Sequence, residues 1–142
     1  MRAIRGTRGQ ALVEAAVSFP LLVLLLLAVV ECALYVHALH VVAGAAQEGA
    51  HAAAAEHATI QEAVDDGRAR ARDVLQAGLG QYADDVQVLD PSIDGGSVLV
   101  ELRGGMPLFF GGPGQDAPLQ LPLNATARVS REFFRPQGTE GH

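Results

Sequence analysis

The chain has no Lys and no Trp, one Cys, two Tyr and five Phe. Each shortage closes a route. A single Cys, Cys32, allows no intrachain disulfide. It lies in an apolar stretch, where a thiol acts as a small hydrophobe. Lipid attachment at Cys32 is opposed by Glu31, which stands where such a signal needs a small residue. The 10 basic residues are all Arg, against 16 acids, for a net charge of −6. Arg2, Arg5 and Arg8 precede the apolar part with no acid among them, so the remaining body is more acidic still. Such a body lacks the Lys and Arg that displace counterions from a phosphate backbone, and no nucleic acid partner is expected. There is no P-loop, zinc-protease helix or nucleophile elbow, so the chain reads as a non-enzyme. His37 and His40 have a metal-ligand spacing, as do Glu48 and His51, but no Cys or further His cluster completes a site. His57 stands in an Ala-rich stretch without an evident partner. No metal, cofactor or small-molecule substrate is expected. No internal repeat is visible.

What is present is a long apolar run. Phe19 to Val30 is wholly apolar, and Ser18, Glu31 and His37 are the strongly polar residues between Ala15 and Ala38. A membrane-spanning helix needs about 20 mostly apolar residues. Ala15 to Val36, through Pro20, Leu25 and Val30, meets that length. A soluble helix apolar on every face would need more protein to cover it than this chain holds. The three leading Arg residues place the N-terminus on the cytoplasmic side of a cell membrane and the C-terminal body outside. The competing reading, a cleaved secretory signal, finds a small-residue site only at Ala43-Gly44-Ala45, far beyond the Leu run. Glu14 and Glu31 bracket the core, about 25 Å apart at 1.5 Å per residue. Glu31 reads as an interfacial residue in reach of water. Glu14 lies at or inside the inner boundary, where an ionisable group is costly and usually has a partner.

The segment Gly9-Gln10-Ala11-Leu12-Val13-Glu14 places a Gly at the end of a short basic leader and a Glu on the fifth residue after it. An apolar helix follows at once. This looks like the cleavage site of type IV pilin-like precursors. With Arg8, Pro20 and the Leu run it resembles the TadE-like family, pseudopilins of the bacterial tight-adherence (Tad/Flp) pilus system. Gln47-Glu48-Gly49-Ala50-His51-Ala52-Ala53 looks like a further block of that family, with Gln47 and His51 replacing its usual Arg residues. Asn124-Ala125-Thr126-Ala127-Arg128-Val129 is a weaker agreement. The resemblance covers about the first 55 residues well. It implies cutting after Gly9 by a membrane-embedded prepilin peptidase, with Gln10 as the new N-terminus and Glu14 as partner of its free amine. It implies other pilin or pseudopilin subunits of the Tad system as partners. Gln10 replaces the aromatic common in major pilins, and the body is too long for a Flp-type major pilin. Both departures point to an accessory role in assembly. The alternatives are an uncleaved single-pass scaffold and an anchored extracytoplasmic binding domain.

Beyond the span, Ala43 to Ala58 is almost all Ala, the best helix former, and continues the helix as a stalk. Pro20 could kink the membrane part. Gly44 and Gly49 would serve either close packing with other subunits or a plain rigid stalk. Thr59-Ile60-Gln61-Glu62 is a capping-box pattern that restarts a helix. Ile60, Val64, Ala71, Val74, Leu75 and Leu79 form its apolar side. Asp65, Asp66, Arg68, Arg70, Arg72 and Asp73 form a solvated side, and Gly78 and Gly80 mark its end. Val86 and Val88 alternate, as do Val98, Val100 and Leu102, with turn chemistry at Asp90-Pro91 and Asp94-Gly95-Gly96. The Gly pairs beginning at Gly95, Gly104 and Gly111 read as turns. Gly104 to Pro118 reads as a long connection whose Phe109 and Phe110 either close the core or offer a contact. Leu121 to Val129 is the last alternating run, and its Asn124-Ala125-Thr126 matches a glycosylation acceptor by chance. The expected organisation is an α+β chain: residues 1–9 a basic leader, 10–58 a transmembrane helix and helical stalk, and 59–134 a small extracytoplasmic domain. That domain holds an amphipathic helix and an antiparallel sheet of about three strands, and 135–142 is a disordered tail.

Overall fold

The computed structural model describes residues 5–94, 96–108 and 120–130, and no side chain before Gly9. Arg2, Gly95, Phe109, Phe110, Gly111 and the tail from Arg135 lie outside the described residues. The expected α+β class is met. Helix α1 spans Arg5–Ala54 and helix α2 Ile60–Leu79, followed by a 3-10 helix at Gly80–Asp85. Strands β1 (Val86–Val88), β2 (Ser92–Asp94), β3 (Ser97–Pro107) and β4 (Gln120–Ser130) form one antiparallel sheet. Two compact units divide inside α1, one Met1–Val36 and the other His37–His142.

In the second unit the rest of α1 and α2 form an antiparallel pair. Their contact is made by residues with little or no side chain. A Cβ on Gly49 would meet the Gly67 carbonyl oxygen at 2.8 Å, and one on Gly67 would meet the Ala53 Cβ at 2.7 Å. A Cβ on Gly78 would fall 2.4 Å from Val41 Cγ1. The buried line of α2 is Ala63, Gly67, Ala71 and Leu75, one residue per turn. Ile60, expected on the apolar side, is 68% exposed. The reason is positional: as the first helical residue after the cap, it precedes the first buried turn.

The Thr59 half of the capping box forms: Thr59 Oγ1 accepts from the Glu62 N–H at 3.1 Å, satisfying a donor that a helix start otherwise leaves unpaired. The Glu62 carboxylate turns one residue further back and accepts from the Ala58 N–H at 3.2 Å, not from the N–H of the cap itself. Gly80, with φ +56°, closes α2 in a conformation that side chains disfavour.

The expected three strand runs appear as four strands, because a bulge divides the first. Val88 pairs with Leu102 and Ser92 with Leu99, so four steps along one strand oppose three along the other. Asp90-Pro91 is therefore a β-bulge and not a turn. The Leu89 N–H still donates to the Glu101 carbonyl at 3.0 Å, which keeps β1 and β2 on one edge of β3. The hairpin turn lies at Asp94 to Ser97, with Gly96 at φ +93°. On the other edge of β3, β4 pairs from Ser97↔Ser130 to Pro107↔Gln120. Gly104 and Gly105, read as a turn, lie inside β3. Their lack of a side chain answers crowding: a Cβ on Gly104 would stand 2.7 Å from the Asp85 carbonyl oxygen.

The sheet is amphipathic. Val86, Val98, Val100, Leu102, Leu123 and Ala127 are buried on one face. Gln87, Arg103, Asn124, Thr126 and Arg128 stand exposed on the other. This alternation is what an antiparallel sheet with one covered face requires.

Candidate functional site: the Gly9–Glu14 segment and its apolar helix

The site expected from the sequence lies at the start of α1. Gly9, Gln10, Val13, Glu14, Val17 and Ser18 line one shallow groove on the helix surface. Gln10 and Glu14 are one turn apart, the separation at which helical side chains are neighbours. In a helix the Cα–Cβ bond tilts toward the N-terminus, so the Glu14 carboxylate leans toward Gln10. Gly9 has open space around the position of a Cβ, and Gly9, Gln10 and Glu14 are all exposed. Helix α1 runs without interruption across the Gly9–Gln10 bond and through Pro20. Pro20 lacks the N–H that would bond the Ala16 carbonyl.

The apolar run is uncovered. Leu12, Phe19, Leu22, Leu25 and Val30 are exposed, with Leu25 at 61%. Ala15, Pro20 and Val36 are exposed as well. The most apolar 18-residue window of the helix has a mean hydropathy of 2.6 and is 0% buried. Large apolar side chains exposed on all sides of a helix are costly in water and favourable in hydrocarbon. The helix is thus long and apolar enough to cross a membrane once.

The other singled-out residues are scattered. His37 Nε2 lies 3.4 Å from the Gly78 carbonyl oxygen, and the Glu48 carboxylate accepts from Arg70 at 3.1 Å. Cys32 is a free, exposed thiol. Among the described residues no three His, Cys, Asp or Glu side chains are grouped to hold a metal.

Sequence reasoning missed how many charges of α2 are engaged. Arg70 holds Glu48 of α1, Arg68 pairs with Asp90 in the bulge, and Asp66 contacts His57. It also missed that buried Pro91 reaches the crossing of the two helices, with its Cγ 3.4 Å from where a Gly67 Cβ would stand. A period of four in Ala63, Gly67 and Ala71 was the available signal.

A helix long and apolar enough to cross a membrane once, leading to a small α+β unit, is the architecture of the chain. The family model for TadE-like protein matches residues 9–51. The match agrees with the TadE-like resemblance read from the residues, and the similarity is confined to the N-terminal part of the chain. The match takes in Gly9 to Glu14, Pro20, the Leu run and Gln47 to His51. Helix α2 and the sheet lie beyond it. No curated protein and no solved structure matches the chain.

Proposed function

We propose that the chain is a TadE-like minor pseudopilin, a non-catalytic, membrane-anchored component of Tad/Flp pilus assembly. Its N-terminus lies in the cytoplasm and its α+β unit outside. Prepilin peptidase cuts it after Gly9, and it acts by associating with other pilin or pseudopilin subunits. The observation that carries this reading is the placement of the family match, which begins on Gly9 itself and runs through the apolar stretch to His51.

The chemistry of the cut supports it. A free amine on Gln10 would stand one turn before Glu14, toward which that carboxylate already leans. A carboxylate at a lipid boundary is tolerable when a cation compensates it. The orientation rests on Arg2, Arg5 and Arg8, since basic residues stay inside. A second reading, an uncleaved single-pass scaffold, is favoured by the continuity of α1 across Gly9–Gln10.

Mass spectrometry of the N-terminal peptide of membrane-purified protein decides between them. A chain beginning at Gln10 in a strain with active peptidase, and at Met1 when Gly9 is replaced by Leu, is the expected result. A wild-type chain still beginning at Met1 overturns the processing claim. Unchanged surface pili after deletion of the protein would count against the assembly role.

A further inference from the structure

The second unit has a definite end at which the chain enters it. His37, its first residue, meets the last turn of α2. His37 Nε2 lies 3.4 Å from the Gly78 carbonyl oxygen, and Val41 fills the place where a Gly78 Cβ would stand. The run of α2 fixes how the strands lie relative to that end. Early in α2, Arg68 pairs with Asp90 and Gly67 lies by Pro91. Late in α2, Leu75 and Gln76 line one depression with Val86 and Val88. Helix α2 therefore runs against β1 and along β3, the antiparallel partner of β1. Both α2 and β3 head for the His37 end. The 3-10 helix at Gly80–Asp85 makes the reversal there. The β3–β4 hairpin continues three residue pairs past Val86↔Gly104, as far as Pro107↔Gln120. At about 3.3 Å per residue this is an overhang of about 10 Å.

The chemistry of the hairpin changes along its length. The part away from His37 carries Glu101, Arg103 and Arg128, whereas residues 105–108 and 120–122 carry no charge. Met106, Pro107, Leu108 and Leu121 are half-exposed on this overhang. Tyr82, on the adjoining 3-10 helix, is 39% exposed, and among the described residues after His37 only Ile60 and Leu99 are other large apolar side chains left as open. Apolar side chains gathered without cover at one end of a unit mark a contact surface. Tyr is the residue type that suits a membrane–water boundary, with its ring toward the apolar side and its hydroxyl in water. Asp84 and Asp85 are exposed on the same 3-10 helix. Carboxylates are costly in hydrocarbon, so lipid contact at this end is shallow.

We infer that the His37 end of the second unit, Tyr82 with the β3–β4 overhang, rests on the surface of the membrane that holds α1. The ring and the apolar tip enter the headgroup zone, and the two aspartates stay in water. The inference rests on the single-pass reading proposed above. Chain continuity selects lipid over a protein partner. His37 is bonded to Val36, which ends the apolar run, so a spanning helix delivers this end of the unit to the membrane surface.

The chain has no Trp, so one substitution gives a single fluorescent indole. The full chain is reconstituted in phosphatidylcholine vesicles as Tyr82→Trp, Met106→Trp, Leu25→Trp and Leu99→Trp, each with lipids brominated high or low on the acyl chain. Tyr82→Trp and Met106→Trp should emit to the blue of indole in water and lose more emission to the high bromines than to the low ones. Leu25→Trp, inside the apolar helix, should lose more to the low bromines. Leu99→Trp, opposite Ser92 toward the other end of β3, should lose none. Should Met106→Trp disturb the hairpin, Tyr82→Trp at its exposed position decides the matter. Emission from both probes that is unquenched while Leu25→Trp is quenched would overturn the inference and leave the single-pass reading intact. Blue-shifted but unquenched emission would assign the surface to a protein partner instead. An unquenched Leu25→Trp would sink the single-pass reading and this inference with it.

Discussion

Helix α1 is one helix written in two alphabets. As far as Val36 it uses Leu, Val and Phe, and these side chains are exposed. From His37 it uses Ala and Gly, and Ala38, Val42, Ala45, Ala46, Ala50 and Ala53 are buried. The part with large apolar side chains is bare, and the part with small ones is covered. The size of a side chain, more than its hydrophobicity, thus marks which half packs against protein. Large side chains present area to a fluid solvent, which on the reading proposed above is lipid. Small ones let a second backbone approach, as Gly67 approaches Gly49.

The contrast can be broken from either side. The largest effect is expected from charge in the first half. Leu22 and Leu25 are each 61% exposed. Replacing both by Arg should cost roughly 5–7 kcal/mol of insertion, at about 2.5–3.5 kcal/mol for each central charge. The variant should be extracted from membranes by alkali, while thermal unfolding of the second unit is unchanged. A lowered unfolding temperature with membrane retention intact would show that the first half packs against protein. A smaller effect is expected from Gly67→Ala. The added methyl meets a backbone carbonyl and the Ala53 Cβ, neither of which can rotate away. Overpacking of this kind costs about 1–3 kcal/mol, readable as a lower denaturant midpoint. The smallest effect has the opposite sign. Gly44 has open space where a Cβ would stand. Gly44→Ala should therefore stabilise the helix by about 0.5–1 kcal/mol, seen as a raised midpoint. A loss at Gly44, measured in purified single chains, would reveal a close neighbour there.

These expectations show where the sequence could be read and where it could not. The apolar run and the Thr59 helix cap rest on local physics, hydropathy and a four-residue pattern, and both are found where they were read. The strands follow from alternation for the same reason. Glycine was harder because it has two uses. Gly80 and Gly96 serve positive φ, which turn chemistry signals. Gly49, Gly67, Gly78 and Gly104 serve close approach, and only their distant neighbours reveal that. Asp90-Pro91 carries the letters of a turn but forms a bulge, because β3 supplies partners on both sides of it. At the candidate site, the spacing of Gly9, Gln10 and Glu14 was legible because a helix converts spacing directly into a shared face. The engagement of Arg68 and Arg70 was not, since each partner comes from another element.

The order of the sheet has a consequence for how the second unit is made. The edge of β3 that takes β1 and β2 is supplied by the segment just before it, and the edge that takes β4 by the segment just after. Helix α2 likewise lies against the helix it follows. These pairings thus join segments close in sequence, and contacts between near segments close at small entropic cost. On the orientation proposed above, a chain fed through a membrane from its N-terminal end could complete these pairings in order as each segment emerges, with the connection between Pro107 and Gln120 the last to close.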